Sequence, residues 1–349
     1  MKKRFWTLLL TVTLGLAALG GIATAAENPA DYHLAICIHS MDNEYWAQEA
    51  EGAGLAAKFY GVSSDILTCD SDDNKQLQGI KDYIAKWGKK AIFVVDPSST
   101  ANTANIAEIC EESGNYVAIL AHRADGLYPK DYPHYVVSIM LDDVSNGKAT
   151  AKALFEAIGG KGQVAELVGL LGDDSAGNRH KAFQEALKEY PGIEVVDSQT
   201  ASWSQSEGMN IAESWIVKYP NLKGIYAAND TMALGAVEAL KTKGLNGKVA
   251  VSGVDGIEAA LNAVKDGDLV VTIANDGYMI AGYGAAYAIQ AALGKLDPKS
   301  IPDKERLIIS KTTFVTKDNA DDIINKFIKT KNPGYDYTNL KFCIDKFQE

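Results

Sequence analysis

Short apolar runs recur along the chain, and most are followed by a stretch with helical spacing. Strand-type runs fall at residues 33–39, 63–69, 91–95, 116–121 and 135–140 in the first half, and at 164–171, 193–199, 222–228, 249–254 and 269–274 in the second. Helical stretches between them include 47–59, 75–87, 99–111, 179–190 and 207–217. This alternation predicts parallel sheets, and nearly unbroken apolar strands such as Ala91-Ile-Phe-Val-Val predict sheets covered on both faces. A last helix, 277–293, and a last strand, 307–315, have no counterpart in the second series. The chain is therefore expected to cross back between two halves.

The strand ends are polar. Gly224-Ile-Tyr-Ala-Ala is an apolar strand that stops at Asn229 and Asp230 before an alanine-rich helix, and Ala91–Val95 stops likewise at Asp96. Ligands of open α/β sheets bind outside the carboxyl ends of the strands, where Asn229 could hydrogen-bond a guest while Asp230 caps the helix behind it.

Residues 1–26 read as a secretory signal: Lys2, Lys3 and Arg4, an apolar stretch at 8–19, and Ala23-Thr24-Ala25 as a small-residue cleavage site. No cysteine stands at that site, so a freely diffusing periplasmic protein is expected rather than a lipid-anchored one. The remaining length suits two domains. Formal net charge is −11, and removing the three signal bases makes the chain more acidic still. That argues against nucleic acid or an anionic membrane as partner. Cys37, Cys69, Cys110 and Cys343 have no metal-ligand spacing, and their pairing in an oxidising compartment cannot be deduced.

Several stretches, in order, carry a resemblance: Asn43-Glu44-Tyr45-Trp46, His122-Arg123, Asn178-Arg179-His180-Lys181-Ala182-Phe183, Ala228 to Gly235, Gly253-Val254-Asp255-Gly256 and Thr272-Ile273-Ala274-Asn275. Over most of residues 32–319 the chain resembles the periplasmic binding proteins of sugar ABC transporters, of the ribose-binding-protein-like type I family. The resemblance implies an α/β fold of two Rossmann-like domains, each a parallel sheet flanked by helices, joined by hinge strands. It places one lobe at 27–139 with 276–309 and the other at 140–275 with 310–330, and leaves 331–349 as a tail packed on a lobe. It also implies a ligand for such a cleft, a sugar or related polyhydroxylated compound, delivered to a membrane permease by a monomeric, non-enzymatic protein that needs no cofactor or metal.

The ligand-binding candidates are Asn43, Tyr45, Trp46, His122, Arg123, Arg179, Trp203, Asn229, Asp255 and Asn275. Guanidinium and carboxylate groups engage adjacent hydroxyls with charge-assisted hydrogen bonds, and aromatic rings pack on the C–H faces of a sugar. The plain alternatives are core packing for Tyr45 and Trp46, burial against a helix for Trp203, a turn or cap for Asp255 and surface ion pairs for the two arginines. Where the family commonly has an aspartate, this chain has His122. One lost negative charge would make the site more positive and admit a sugar acid as the alternative ligand.

Other motifs fail on context. Gly160-Lys161-Gly162-Gln163-Val164-Ala165 precedes a strand instead of following one, and Lys75 and Lys81 replace the glycine and glutamate that a calcium loop at Asp70 would need. A sugar repressor would need a DNA-binding helix-turn-helix and a basic surface, and no nucleophile–base constellation suggests an exported enzyme. Presentation to a chemoreceptor or sensor kinase is an alternative that the sequence does not separate from transport.

Overall fold

The computed structural model describes residues 27–331 and 334–341. The proposed signal, Cys343, Phe342 and Phe347 lie outside the described residues.

The first half builds β1 (His33–Ile38), α1 (Glu44–Tyr60), β2 (Ser63–Thr68), α2 (Asp73–Trp87), β3 (Ala91–Val95), α3 (Asn102–Ser113), β4 (Val117–Ala121) and β5 (Tyr135–Met140). The second builds α4 (Asp143–Ala157), β6 (Lys161–Val168), α5 (Asp174–Leu187), β7 (Gly192–Thr200), α6 (Gln205–Lys218), β8 (Leu222–Ala227), α7 (Asp230–Thr242), β9 (Ala250–Ser252), α8 (Glu258–Asp266) and β10 (Thr272–Ala274). The chain continues through α9 (Gly277–Ala292), β11 (Leu307–Ile309), β12 (Thr313–Val315) and a short α10 (Ala320–Ile323) that runs on into a π-helical turn.

Two parallel sheets result. One has strand order β2-β1-β3-β4-β5-β11 and the other β7-β6-β8-β9, while β10 and β12 form a small antiparallel pair. Helices α1 and α9 pack together over one face of the larger sheet, with Leu34, Ile36, Val94 and Leu120 beneath them. Residues of the opposite parity, among them Cys37, Phe93, Val95 and Ile119, pack with Ile80 of α2 and Ile106 of α3. A strand's period of two thus feeds two separate cores, as the near-continuous apolar runs require. The second sheet has one core, in which the Phe183 and Tyr226 rings stack at 4.7 Å.

Three segments carry the chain between the sheets: 141–142 after β5, 275–276 after β10 and 310–312 after β11. The apolar run at 307–315 is therefore not one strand. Ser310, Lys311 and Thr312 interrupt it, and its halves join different sheets. Helix α5 begins at Asp174, well ahead of the predicted start, because Asp173 caps it through Ser175 N and Ala176 N. Arg179 consequently sits in the second turn of a helix and not at a strand end.

The described part of the tail returns to the first sheet. Tyr337 is buried beneath α1 and α9, its carbonyl accepting from Tyr60 Oη and Gln290 Nε2, and the Tyr335 hydroxyl donates to Asp276 Oδ2.

Candidate ligand-binding site

The carboxyl ends of both parallel sheets face each other across a cleft. Its inner part narrows to a small cavity. Asn43, Trp46, Asp96 and His122 reach it from the loops after β1, β3 and β4, and Asp173, Arg179, Trp203, Asn229 and Asp255 reach it from those after β6 to β9 or the helix beyond. Asn43, Trp46 and Trp203 also border a wider outer space, about 950 Å³, that carries serines 40, 71, 202, 204 and 206.

Local backbone geometry aims these groups. Among the described residues, non-glycine residues with positive φ are Asp70, Ser71, Ala121, Ser202, Trp203 and Asp255 around the cleft, and Lys331 elsewhere. Each such residue costs on the order of 1–3 kcal/mol and persists only where its surroundings enforce it. At Ala121, φ 54°, a three-residue turn returns the His122 N–H to the Leu120 carbonyl and directs His122 into the cavity. Trp203 is held by Nε1 donating to Asp173 Oδ2 at 2.9 Å, and its ring lies so close to Gly169 that any Cβ there would run into it. Trp46 stacks on His39 at 4.3 Å with a 4° interplanar angle, which fixes one face of the indole and leaves the ring on the cavity wall.

The charges are more acidic than the His122 substitution suggested. His122 lies between two carboxylates, Nε2 3.4 Å from Asp96 Oδ1 and Nδ1 3.3 Å from Asp173 Oδ1. Burial works to lower its pKa, but Asp173, Asp96 and Asp143 outweigh it and the imidazole is raised above its ordinary value. Arg179 lies between two more, its Nε donating to Asp143 Oδ1 at 2.8 Å and Nη1 lying 3.4 Å from Asp255 Oδ1. Burial lifts Asp255 to about 6 against the opposing pull of Arg179. Glu49, fully buried beneath the cleft, is pushed well up by desolvation and by the charge on Asp96. Burial also acts to raise Asp96, but the neighbouring imidazoles of His39, 3.8 Å away, and His122, 3.4 Å away, leave it lowered.

Eight of the ten predicted residues line the inner cavity: Asn43, Tyr45, Trp46, His122, Arg179, Trp203, Asn229 and Asp255. Two are directed elsewhere. The turn that points His122 inward sends Arg123 away, where Nη1 donates to the Leu127 carbonyl at 2.7 Å and the guanidinium lies over Tyr128. Asn275 stands behind the cavity, its Nδ2 3.5 Å from Asp255 Oδ1, and borders a separate space with Asp276, Lys311 and Tyr335. The cap expected of Asp230 falls to its neighbour. Asn229 caps α7, its Oδ1 accepting from Met232 N at 2.9 Å, whereas Asp230 is buried and receives Gly256 N, Ile257 N and Thr272 Oγ1. Tyr45 packs into the core of the second sheet although α1 covers the first.

Sequence reasoning missed Asp96, Asp173 and Ser175. Asp96 was visible as the acid ending an apolar strand, whereas Asp173 and Ser175 lay ahead of the helix predicted to start at 179 and were assigned no role.

His39, Asp96 and His122 bring three metal-capable side chains together. His39 does not fit such a seat. Its Nε2 lies 3.0 Å from the Pro97 carbonyl, to which it must donate, and its Nδ1 faces Ser71 Oγ at 2.9 Å.

The halves also meet at the cleft's rim. Asp174 N donates to Thr100 Oγ1 at 2.9 Å, and Glu44 Oε1 accepts from Glu258 N at 2.6 Å at the start of α8. The cleft is closed in this structure.

Residues 34–296 match the family model described as a periplasmic binding protein domain. A D-apiose import binding protein of Paraburkholderia graminis is 30% identical over 90% of this chain and 95% of its own length. A solved structure of a twin-arginine translocation pathway signal protein from Burkholderia phytofirmans is 35% identical, with a TM-score of 0.85 over 88% of this chain and 96% of that one. An ABC transporter periplasmic solute binding protein from Actinobacillus succinogenes, solved with bound D-allose, is 28% identical with a TM-score of 0.74, covering 83% of this chain and 99% of that one.

Proposed function

The chain belongs to the periplasmic binding protein family, and from that membership we propose that it captures a sugar or polyol between its two lobes and presents the closed complex to the membrane permease of an ABC importer. The observation that carries this reading is the convergence of indole rings, carboxylates and a guanidinium from both sheets on one small cavity. The lobes are 27–139 with 276–309 and 140–275 with 310–330, and the tail docks on the first. Residues 1–26 serve as the export signal, the protein works as a periplasmic monomer, and the ligand leaves unchanged.

Trp46 and Trp203 pack on the ligand's C–H faces. Arg179 and Asn229 donate to its hydroxyls, and Asp96 and Asp255 accept from them. Because these groups belong to different lobes, ligand contacts that need both are made only on closure, and their free energy holds the lobes together. A ligand that binds only the folded protein raises the melting temperature by mass action. A thermal-shift screen of the exported protein against pentoses, hexoses, polyols and cyclitols should give a concentration-dependent rise with at least one of them. A flat response to every one, in protein that melts cooperatively, rejects the reading.

A further inference from the structure

The inner cavity contains more buried carboxylates than cations to match them. His122 is shared by Asp96 and Asp173, and Arg179 by Asp143 and Asp255. All six side chains are buried. Glu49, fully buried beneath the cleft, is another acid and supplies no positive charge. Even with His122 and His39 both protonated, four carboxylates face three cations, the third being Arg179. Arg123, which the sequence placed among the cations here, is committed to the Leu127 carbonyl instead.

The deficit can be located by following the hydrogen bonds. Asp173 receives Ser175 N, Ala176 N and Trp203 Nε1, and Asp143 receives Ser175 Oγ and Arg179 Nε. Asp96 is different. It is 1% exposed, it lines the cavity, and its Oδ1 accepts no hydrogen bond. A buried acceptor left unmade is costly, and a buried net charge more so. A ligand hydroxyl would supply the missing hydrogen bond but leave the charge. An ammonium group would supply both, and an added carboxylate would worsen the imbalance.

We infer that the preferred ligand carries a protonated amine next to its hydroxyls, as in an amino sugar, amino polyol or aminocyclitol, with the ammonium seated against Asp96. This inference rests on the capture of a polyhydroxylated ligand proposed above and narrows its class.

Calorimetric titration of the exported protein at pH 7 with matched sets tests it: glucose, glucosamine and gluconate; xylitol, 1-amino-1-deoxyxylitol and xylonate; myo-inositol and an inosamine. The amine should bind at least about tenfold more tightly than its hydroxyl congener in the best-bound set, with the acid weakest. Asp96→Asn should remove that preference, bringing the amine and its hydroxyl congener within a few-fold of one another, whatever the variant's absolute affinity. Hydroxyl compounds binding as well as or better than their amines would overturn the inference and leave sugar capture standing. Absence of binding by every member would remove both.

Discussion

Arg179 illustrates how one buried side chain can organise a site. It is 3% exposed and touches Asp143, Asp255 and the Ala228 carbonyl, and burial that would lower its pKa is overcome by the two carboxylates. Replacing it by methionine would strand two acids, a loss of about 3–5 kcal/mol for a broken buried pair. Arg179→Met should therefore abolish binding and lower the melting temperature. Arg123→Ala should leave ligand affinity within about threefold, since its bonds serve only the loop from Ala124 to Tyr128 and none of them reaches the cavity. Titration calorimetry and melting of both variants separate the two arginines. From sequence alone they were equivalent, because each follows an apolar strand. What distinguishes them is a turn at Ala121 that no composition reveals.

At the scale of elements, the closed cleft is fastened at its rim by a charge placed at a helix start. Glu44, in the first turn of α1, accepts from the N–H groups of Glu258 and Ala259 that open α8 on the other lobe. A carboxylate at a helix N-terminus contributes about 0.3–1 kcal/mol when exposed. Glu44→Gln should accordingly raise the ligand's dissociation rate by about two- to fivefold and leave the association rate unchanged, which stopped-flow fluorescence of the cleft tryptophans would read. The elements themselves were legible wherever a strand and its helix are adjacent in sequence, as at Ala91–Val95 and Leu222–Ala227. Legibility failed at residues 307–315, where one apolar run serves two sheets, and at α5, where Asp173 is both a cap and a cavity wall.

For the whole molecule, buried acids set the response to pH. Desolvation raises Asp255 to about 6 and Asp230 to about 8, and its neighbours raise His122 despite burial. A group whose pKa is raised on folding contributes its stability below the unfolded value and loses it as pH rises through the folded one. For Asp255 and Asp230 that loss runs from about pH 4 up to about 6 and 8, and for His122 it begins above its ordinary value near 6.5. Asp96, which is lowered, acts oppositely, but its window lies below the ordinary aspartate value. The melting temperature should thus fall between pH 6 and pH 8.5, and Asp230→Asn should flatten the upper part of that slope, as melting curves across buffers would record.

The three crossings also govern when the fold can form. The face of the first sheet that α1 begins to cover is completed only by α9, and the two helices are linked by pairs as distant as Tyr60 and Gln290, 230 residues apart. Until that late segment has been synthesised, the amino-terminal half has an uncovered apolar face and lacks its edge strand β11. Contacts of such long range delay folding, so a nascent chain of this topology cannot complete its first lobe until α9 and β11 have been made. That is the condition in which a polypeptide can be threaded through a membrane channel.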